Sequence, residues 1–335
     1  MKAKEHPRMR IAIPDDYQDC VRGLDCFSKL DAHETRIFND TVKGADALAE
    51  RFADTEAIVL TRERTRIDAA LLDRLPRLRL ISQTGKLAGH VDLAACTARG
   101  VLVAEGSGAG SATAELSWAL ALASRRHLVD EANRMRQGLW QGHLGQQLGG
   151  QRLGVWSYGR IGRQVAAYGR VFGMKVWVWG REASTAAARA DGFEAAPSRE
   201  AFFAESDVIS LHVRLTAETH GLVTADDLAR MKRTALLVNT SRAELVAEGA
   251  LERALRAGHP GFAAVDVYEQ EPVMAKDHPL LALPNVLCTP HIGYVEKDNY
   301  ERYFGIAFDN INAFAEGRLT DVVNPEALEA ARRRT

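Results

Sequence analysis

Residues 153–166, LGVWSYGRIGRQVA, constrain the fold more than any other part of the chain. An apolar strand ends at Trp156, a tight turn follows, and a helix opens near Arg160. Gly159 and Gly162 keep the spacing of the last two glycines of G-x-G-x-x-G, with Ser157 standing where the first would be. In such a turn one glycine lets the backbone approach a pyrophosphate, and the last lets the helix pack on the strand. The orphan N–H groups at the helix start then face the phosphates. Tyr158, Gly159, Arg160, Ile161 and Gly162 are therefore candidate cofactor-binding residues. Two glycines between a strand and a helix also occur in ordinary turns. The βαβ setting is what points to a dinucleotide.

That setting is regular. Apolar runs at 153–156, 176–179, 208–212, 235–238, 262–265 and 286–288 alternate with helical segments, which predicts a doubly wound parallel sheet. The first hundred residues repeat the theme more weakly. Strands are expected at 10–13, 35–38, 57–60, 78–82 and 101–104, with helices at 45–51 and 68–75 between them. Residues 112–126 read as one apolar helix, with Ser111 or Thr113 as cap. Residues 297–316 form one amphipathic helix closed by Gly317, which belongs with the first domain. The expected domains are thus 1–104 with 296–335, and 105–295. The basic tail Arg332–Arg334 reads as frayed.

Composition removes other classes. Lys plus Arg number 43 against 44 Asp plus Glu, which leaves no broad basic surface for nucleic acid or anionic lipid. Cys20, Cys26, Cys96 and Cys288 are scattered without C-x-x-C or a neighbouring His, so neither a disulfide scaffold, a zinc module nor any other metal site is expected. The opening MKAKEHPRMR lacks the apolar core of a secretory leader, and no apolar run is long enough for a membrane span. A cytoplasmic small-molecule enzyme is the expectation.

The ribose-binding position lies ~20 residues past the glycine turn, at Gly180. Gly180-Arg181 offers no carboxylate there, and Arg181 can grip a 2′-phosphate, which leans the reading toward NADP. Arg181 stacking on the adenine, or Glu182 reaching the ribose, would leave NAD as the cofactor. Further along, Arg242, Glu271 and His291 each follow the carboxyl end of a successive predicted strand, so they share the ligand-facing edge. An imidazole can take a hydroxyl proton, a carboxylate can fix its tautomer, and a guanidinium fork can bind a carboxylate and polarise a carbonyl. A 2-hydroxy acid or 2-oxo acid presents both groups side by side. Singly, each residue also has a plain structural role open to it: a bonded histidine, a turn acid before Pro272, a surface charge.

The same residues carry a resemblance. The glycine turn, N-T-S-R ending at Arg242, D-V-Y-E-Q-E-P from Asp266 to Pro272 and T-P-H-I-G from Thr289 to Gly293 are similar to the D-isomer-specific 2-hydroxyacid dehydrogenases, on the D-3-phosphoglycerate dehydrogenase-like side. The resemblance implies an α/β fold of two doubly wound domains, a Rossmann cofactor domain inserted into a flavodoxin-like substrate domain. It implies Arg242, Glu271 and His291 as the catalytic set, Asp266 near the nicotinamide with Thr240 also on the cofactor, and a homodimer paired through the cofactor domain. It further implies a small anionic 2-hydroxy or 2-oxo acid as substrate. Arg62 and Arg64, two residues apart after a strand, resemble a segment that meets an anionic substrate, although charges there can also be solvated loop residues. Thr84-Gly85-Lys86 replaces the usual glycine-rich substrate loop, with Lys86 as an added charge. A dinucleotide-sensing corepressor of the same architecture is the alternative.

Overall fold

The structure, a computed structural model, describes residues 8–332. The opening stretch read for a leader extends outside the described residues at 1–7, as do Arg333 and Arg334 of the basic tail. Arg332 ends a short helix, Ala327–Arg332. The chain divides into two compact units. One holds residues through Ala109 and again from Glu296; the other is Gly110–Val295.

The first unit is built on a five-stranded parallel sheet. Its strands are β1 (Arg10–Ile13), β2 (Glu34–Ile37), β3 (Ala57–Leu60), β4 (Leu80–Gln83) and β5 (Leu102–Glu105), in the order β2-β1-β3-β4-β5. That is the flavodoxin-like order. β3 and β4 are buried at every position, as strands covered on both faces must be. Helices Ala69–Leu72 and Leu93–Ala98 start where Asp68 and Asp92 accept backbone N–H bonds from Leu71 and Ala95. The helix Lys297–Ala315 packs on this sheet. Phe304 and Phe308 are fully buried, and Ser82 Oγ of β4 donates to the Ala307 carbonyl at 2.9 Å.

The second unit carries seven parallel strands: β6 (Arg152–Trp156), β7 (Lys175–Trp179), β8 (Glu194–Ala195), β9 (Val208–Leu211), β10 (Leu236–Asn239), β11 (Phe262–Val265) and β12 (Val286–Cys288). Their order is β12-β11-β10-β9-β6-β7-β8, so the order in which successive strands are laid down reverses between β6 and β9. Ligands of open α/β sheets bind outside the strand carboxyl ends at such a point. Both doubly wound sheets expected from the sequence are therefore present.

Some strand bounds in the first unit shift by one or two residues, with Leu80–Gln83 in place of 78–82, and the helix Leu128–Arg136 was not expected. The two-residue β8 adds a seventh strand, because an edge strand of that length needs no apolar run. Neither Ser111 nor Thr113 caps the helix Ser111–Arg125. The cap is Gly110, at φ +83°, without a side-chain bond, while Thr113 Oγ1 donates to the Gly293 carbonyl at 2.8 Å.

Candidate active site

The phosphate turn sits at the carboxyl end of β6. Helix Arg160–Val171 opens at Gly159, and its first in-register bond runs from Arg163 N to Gly159 O at 3.0 Å, so the preceding amides have no partner within the helix. A Cβ at 162 would stand 2.2 Å from the Ser157 carbonyl oxygen, whereas one at 159 would meet no protein atom within 4 Å. The turn thus presents bare backbone beside the helix start, and these residues fit a dinucleotide pyrophosphate. Ser157 holds φ +79°, the left-handed conformation of the glycine it replaces, and its N–H donates to Trp179 O at 2.8 Å. Tyr158 faces inward: its hydroxyl donates to Asp191 at 2.8 Å, and its N–H donates to Ser184 Oγ at 2.7 Å. Burial, then Asp191, pushes its phenol up to about 12. Both the side chain and the N–H of Tyr158 are engaged within the fold, so phosphate contacts fall to the amides that follow it.

Gly180 ends β7 against Ser184 and Ser157; a Cβ on it would lie 3.3 Å and 3.6 Å from them. Arg181 caps helix Glu182–Ala190 with its backbone, and its exposed guanidinium makes no bond among the described residues. Glu182 is exposed and tied to Arg189 at 3.2 Å.

At the carboxyl ends of β11 and β12 an acid meets an imidazole. Glu271 Oε2 lies 2.6 Å from His291 Nδ1, and Glu271 Oε1 accepts the Tyr268 N–H at 3.0 Å. An ionised Glu271 makes Nδ1 the donor, so in the neutral imidazole Nε2 is the nitrogen that carries the lone pair. His291 itself holds φ +52°, backbone strain of the kind found at functional sites. Asp266 sets the loop beneath it. One carboxylate oxygen accepts from Thr289 Oγ1 at 2.6 Å and Ile292 N at 2.8 Å, and the other from Gly293 N at 2.8 Å. Burial pushes this carboxyl up, against the pull of those donors and of His291. Arg242 follows β10. Asn239 bridges Ser241 N and the Arg242 carbonyl, and Arg242 Nη1 donates to Ser241 O at 2.6 Å. Thr240 turns its hydroxyl inward to Ser117 Oγ at 2.7 Å, so it braces the strand against a helix.

The first unit, described by itself, gathers Arg62, Thr84 and Gly85. The Arg62 N–H donates to Thr84 Oγ1 at 2.8 Å, its Nη1 donates to Thr84 O at 3.2 Å, and its guanidinium lies 5.5 Å from the Tyr303 ring. Gly85 is required there: φ is +82°, and a Cβ would strike Arg62 Nη1 at 2.1 Å. Arg64 is buried, so neither arginine is a solvated loop charge. Lys86 is exposed and paired with Glu105, which offsets its charge. Tyr303 on the last long helix, and Tyr294, whose ring meets His291 edge-on at 5.6 Å, escaped the sequence reading. The Tyr303 contact with Arg62 spans most of the chain and leaves no pattern in the sequence, whereas Tyr294 stands only three residues past His291 and could have been found there.

A doubly wound sheet with a bare glycine turn, and with an imidazole–carboxylate pair on its carboxyl edge, defines a dinucleotide-binding α/β protein equipped for acid–base chemistry. Residues 118–293 match the family model for the NAD-binding domain of D-isomer-specific 2-hydroxyacid dehydrogenases. The chain is 37% identical over 290 residues to a glyoxylate reductase of Aeropyrum pernix, spanning 83% of this chain and 85% of that one. It is 54% identical to a solved oxidoreductase of Ralstonia solanacearum, covering 96% and 98% of the two chains with a TM-score of 0.94. A solved phosphoglycerate oxidoreductase of Vibrio cholerae is 51% identical, covering 92% and 99%, with a TM-score of 0.90. The chain belongs to the D-isomer-specific 2-hydroxyacid dehydrogenase family. The corepressor alternative finds no support among these relatives.

Proposed function

We propose that this protein interconverts a small D-2-hydroxy acid and its 2-oxo acid with a nicotinamide dinucleotide. The observation that carries the reading is the 2.6 Å bond between Glu271 and His291 on the carboxyl edge of the sheet. When bound, the dinucleotide supplies or accepts the hydride. The chain's own residues do the rest. His291 Nε2 takes the hydroxyl proton in oxidation and returns it to the carbonyl oxygen in reduction. Glu271 holds the tautomer through Nδ1 and stabilises the imidazolium. Arg242 polarises the carbonyl oxygen and engages the carboxylate. Gly159, Arg160, Ile161 and Gly162 would hold the pyrophosphate, with Asp266 setting the loop that carries His291.

Arg181 favours NADP in this reading, since no acid stands at the ribose position to repel a 2′-phosphate. In the first unit, Arg62 beside Thr84 and Gly85 offers a guanidinium for an anionic substrate group, a carboxylate or phosphate. The names of the relatives favour glyoxylate or 3-phosphoglycerate-type acids. A homodimer through the cofactor unit accounts for the exposed apolar side chains of Leu128, Val129, Met135, Leu139, Trp140 and Leu144, which crowd one short stretch. A cytoplasmic setting goes with its four free cysteines. Among the described residues, no helix is long and apolar enough to cross a membrane.

The test crosses NADH and NADPH with glyoxylate, hydroxypyruvate, pyruvate and 3-phosphohydroxypyruvate, following loss of reduced-nicotinamide absorbance. Turnover of at least one 2-oxo acid is expected. Dinucleotide binding without turnover of any would overturn the reading.

A further inference from the structure

The helix Leu128–Arg136 begins beside two histidines that the proposed reaction does not use. His127, at its N-cap, holds φ +49°, a left-handed conformation unusual for a side-chain-bearing residue. Asp130 stands three residues on. That is capping-box spacing, yet no side-chain bond caps this helix, and among the described residues the Asp130 carboxylate has neither a hydrogen bond nor an ion pair. The chain then reverses through Gly138, at φ +75°, and brings His143 back over His127. The two imidazoles lie 4.8 Å apart and within 18° of parallel.

Behind His143 stands Glu131. Its carboxylate lies 2.7 Å from His143 Nδ1 and accepts the Gly142 N–H at 3.0 Å. A carboxylate bonded to His143 Nδ1 sets that nitrogen as the ring's donor. Nε2 of His143 is then a lone-pair ligand with its ring oriented from behind, an arrangement characteristic of metal-binding histidines.

We propose that His127, Asp130 and His143 form a binding site for a divalent transition metal of the zinc class. Two imidazoles and one carboxylate are a borderline-soft donor set that suits zinc and its first-row neighbours over magnesium or calcium. One ligand atom from each residue lies within 4.8 Å of the others. Bonds of ~2.0–2.1 Å to a shared ion require the two stacked rings to swing out of parallel so that their lone pairs converge, and Asp130 and His143, both exposed, have the room to move. A bound ion would clip the returning loop to the helix start, and so order the stretch that displays Trp140 and Leu144. The cysteine spacings said nothing of this site, because its ligands come from a chain reversal and not from a short motif.

The experiment uses untagged full-length protein, stripped with a chelator and dialysed. Zinc chloride is titrated calorimetrically, and cobalt chloride is followed by visible absorption. Wild-type protein should bind one zinc per chain at this site, and cobalt should show the intense bands of a low-coordinate nitrogen–oxygen set. The His127→Ala/His143→Ala double variant should lose that binding or weaken it at least tenfold. Glu131→Gln, which touches no metal, should weaken it by about 10–100-fold. Asp130→Asn, an exposed change, repeats the test should the double variant fail to fold. No saturable binding by wild-type protein would overturn the proposal. So would binding that the double variant and Asp130→Asn both retain in full, since the metal would then sit elsewhere, for instance at His291.

Discussion

Glu271 grips the imidazole of His291 with one carboxylate oxygen and the backbone N–H of Tyr268 with the other, so a single side chain ties the ends of β11 and β12 together. The base is therefore held by an acid that is itself held, and its orientation does not depend on a bound ligand.

Replacing His291 by Asn should lower kcat by about 10²–10⁴-fold while leaving dinucleotide affinity within a few-fold. Glu271→Gln keeps the shape but removes the charge that fixes the donor at Nδ1, and should lower kcat by a smaller factor and change the pH–rate profile. Steady-state kinetics together with fluorescence titration of the dinucleotide check both. Unaltered kcat in His291→Asn would remove it as the base.

The glycine turn makes opposite predictions at two positions. Gly162→Ala drives a Cβ against the Ser157 carbonyl and should cost about 1–3 kcal/mol of stability. Ser157→Gly relieves a left-handed conformation worth roughly 1–2 kcal/mol, partly offset by the freer unfolded chain, and should leave stability unchanged or slightly raised. Urea unfolding of both variants is the measurement. Loss of stability in Ser157→Gly would mean that the hydroxyl matters to the turn.

Arg181→Ala should weaken NADPH by about tenfold or more and NADH by much less, because the exposed guanidinium has nothing else to hold among the described residues. Equal losses in KM for the two cofactors would show that Arg181 does not read a 2′-phosphate.

His212, just past β9, is neutral by design of its surroundings. Its Nε2 lies 2.9 Å from Ser210 Oγ, its Nδ1 is buried without a hydrogen-bond partner, and burial pushes it from 6.5 down to about 4. One edge of the residue still reaches the surface, yet both ring nitrogens are out of water or bonded. Because the unfolded chain takes up the proton first, this contribution to stability is complete above about pH 6.5 and is lost progressively as the pH falls toward 4. Denaturation midpoints of wild-type and His212→Asn protein at pH 7, 5.5 and 4.5 should converge by roughly 2–3 kcal/mol on acidification. Parallel curves would rule the histidine out.

Much of this was readable before any coordinates. The run Phe262–Val265 stands in the structure with the bounds that its apolar residues suggested, because an inner strand covered on both faces tolerates little else; the edge strand Val286–Cys288 keeps its expected bounds too, though it is only partly buried. Two-residue β8 has no such run to show. Arg242, Glu271 and His291 were visible because a parallel sheet delivers successive strand ends to one edge. The directions of individual side chains were not. Tyr158 and Thr240 sit in the right loops but turn inward, toward Asp191 and Ser117, partners 33 and 123 residues away that spacing alone could not reveal. The stacking of His127 on His143 was hidden for the same reason.

The seating of the helix Lys297–Ala315 on the first sheet has a consequence for synthesis. On the ribosome, the inserted unit from Gly110 to Val295 emerges whole and can close its own core at once. The strands before residue 110 must wait, with Ser82 and the face around it uncovered, until the helix Lys297–Ala315 has left the exit tunnel. The oldest part of the chain is thus the last to be finished, and nascent-chain stalling between these points should find a folded middle attached to an open beginning.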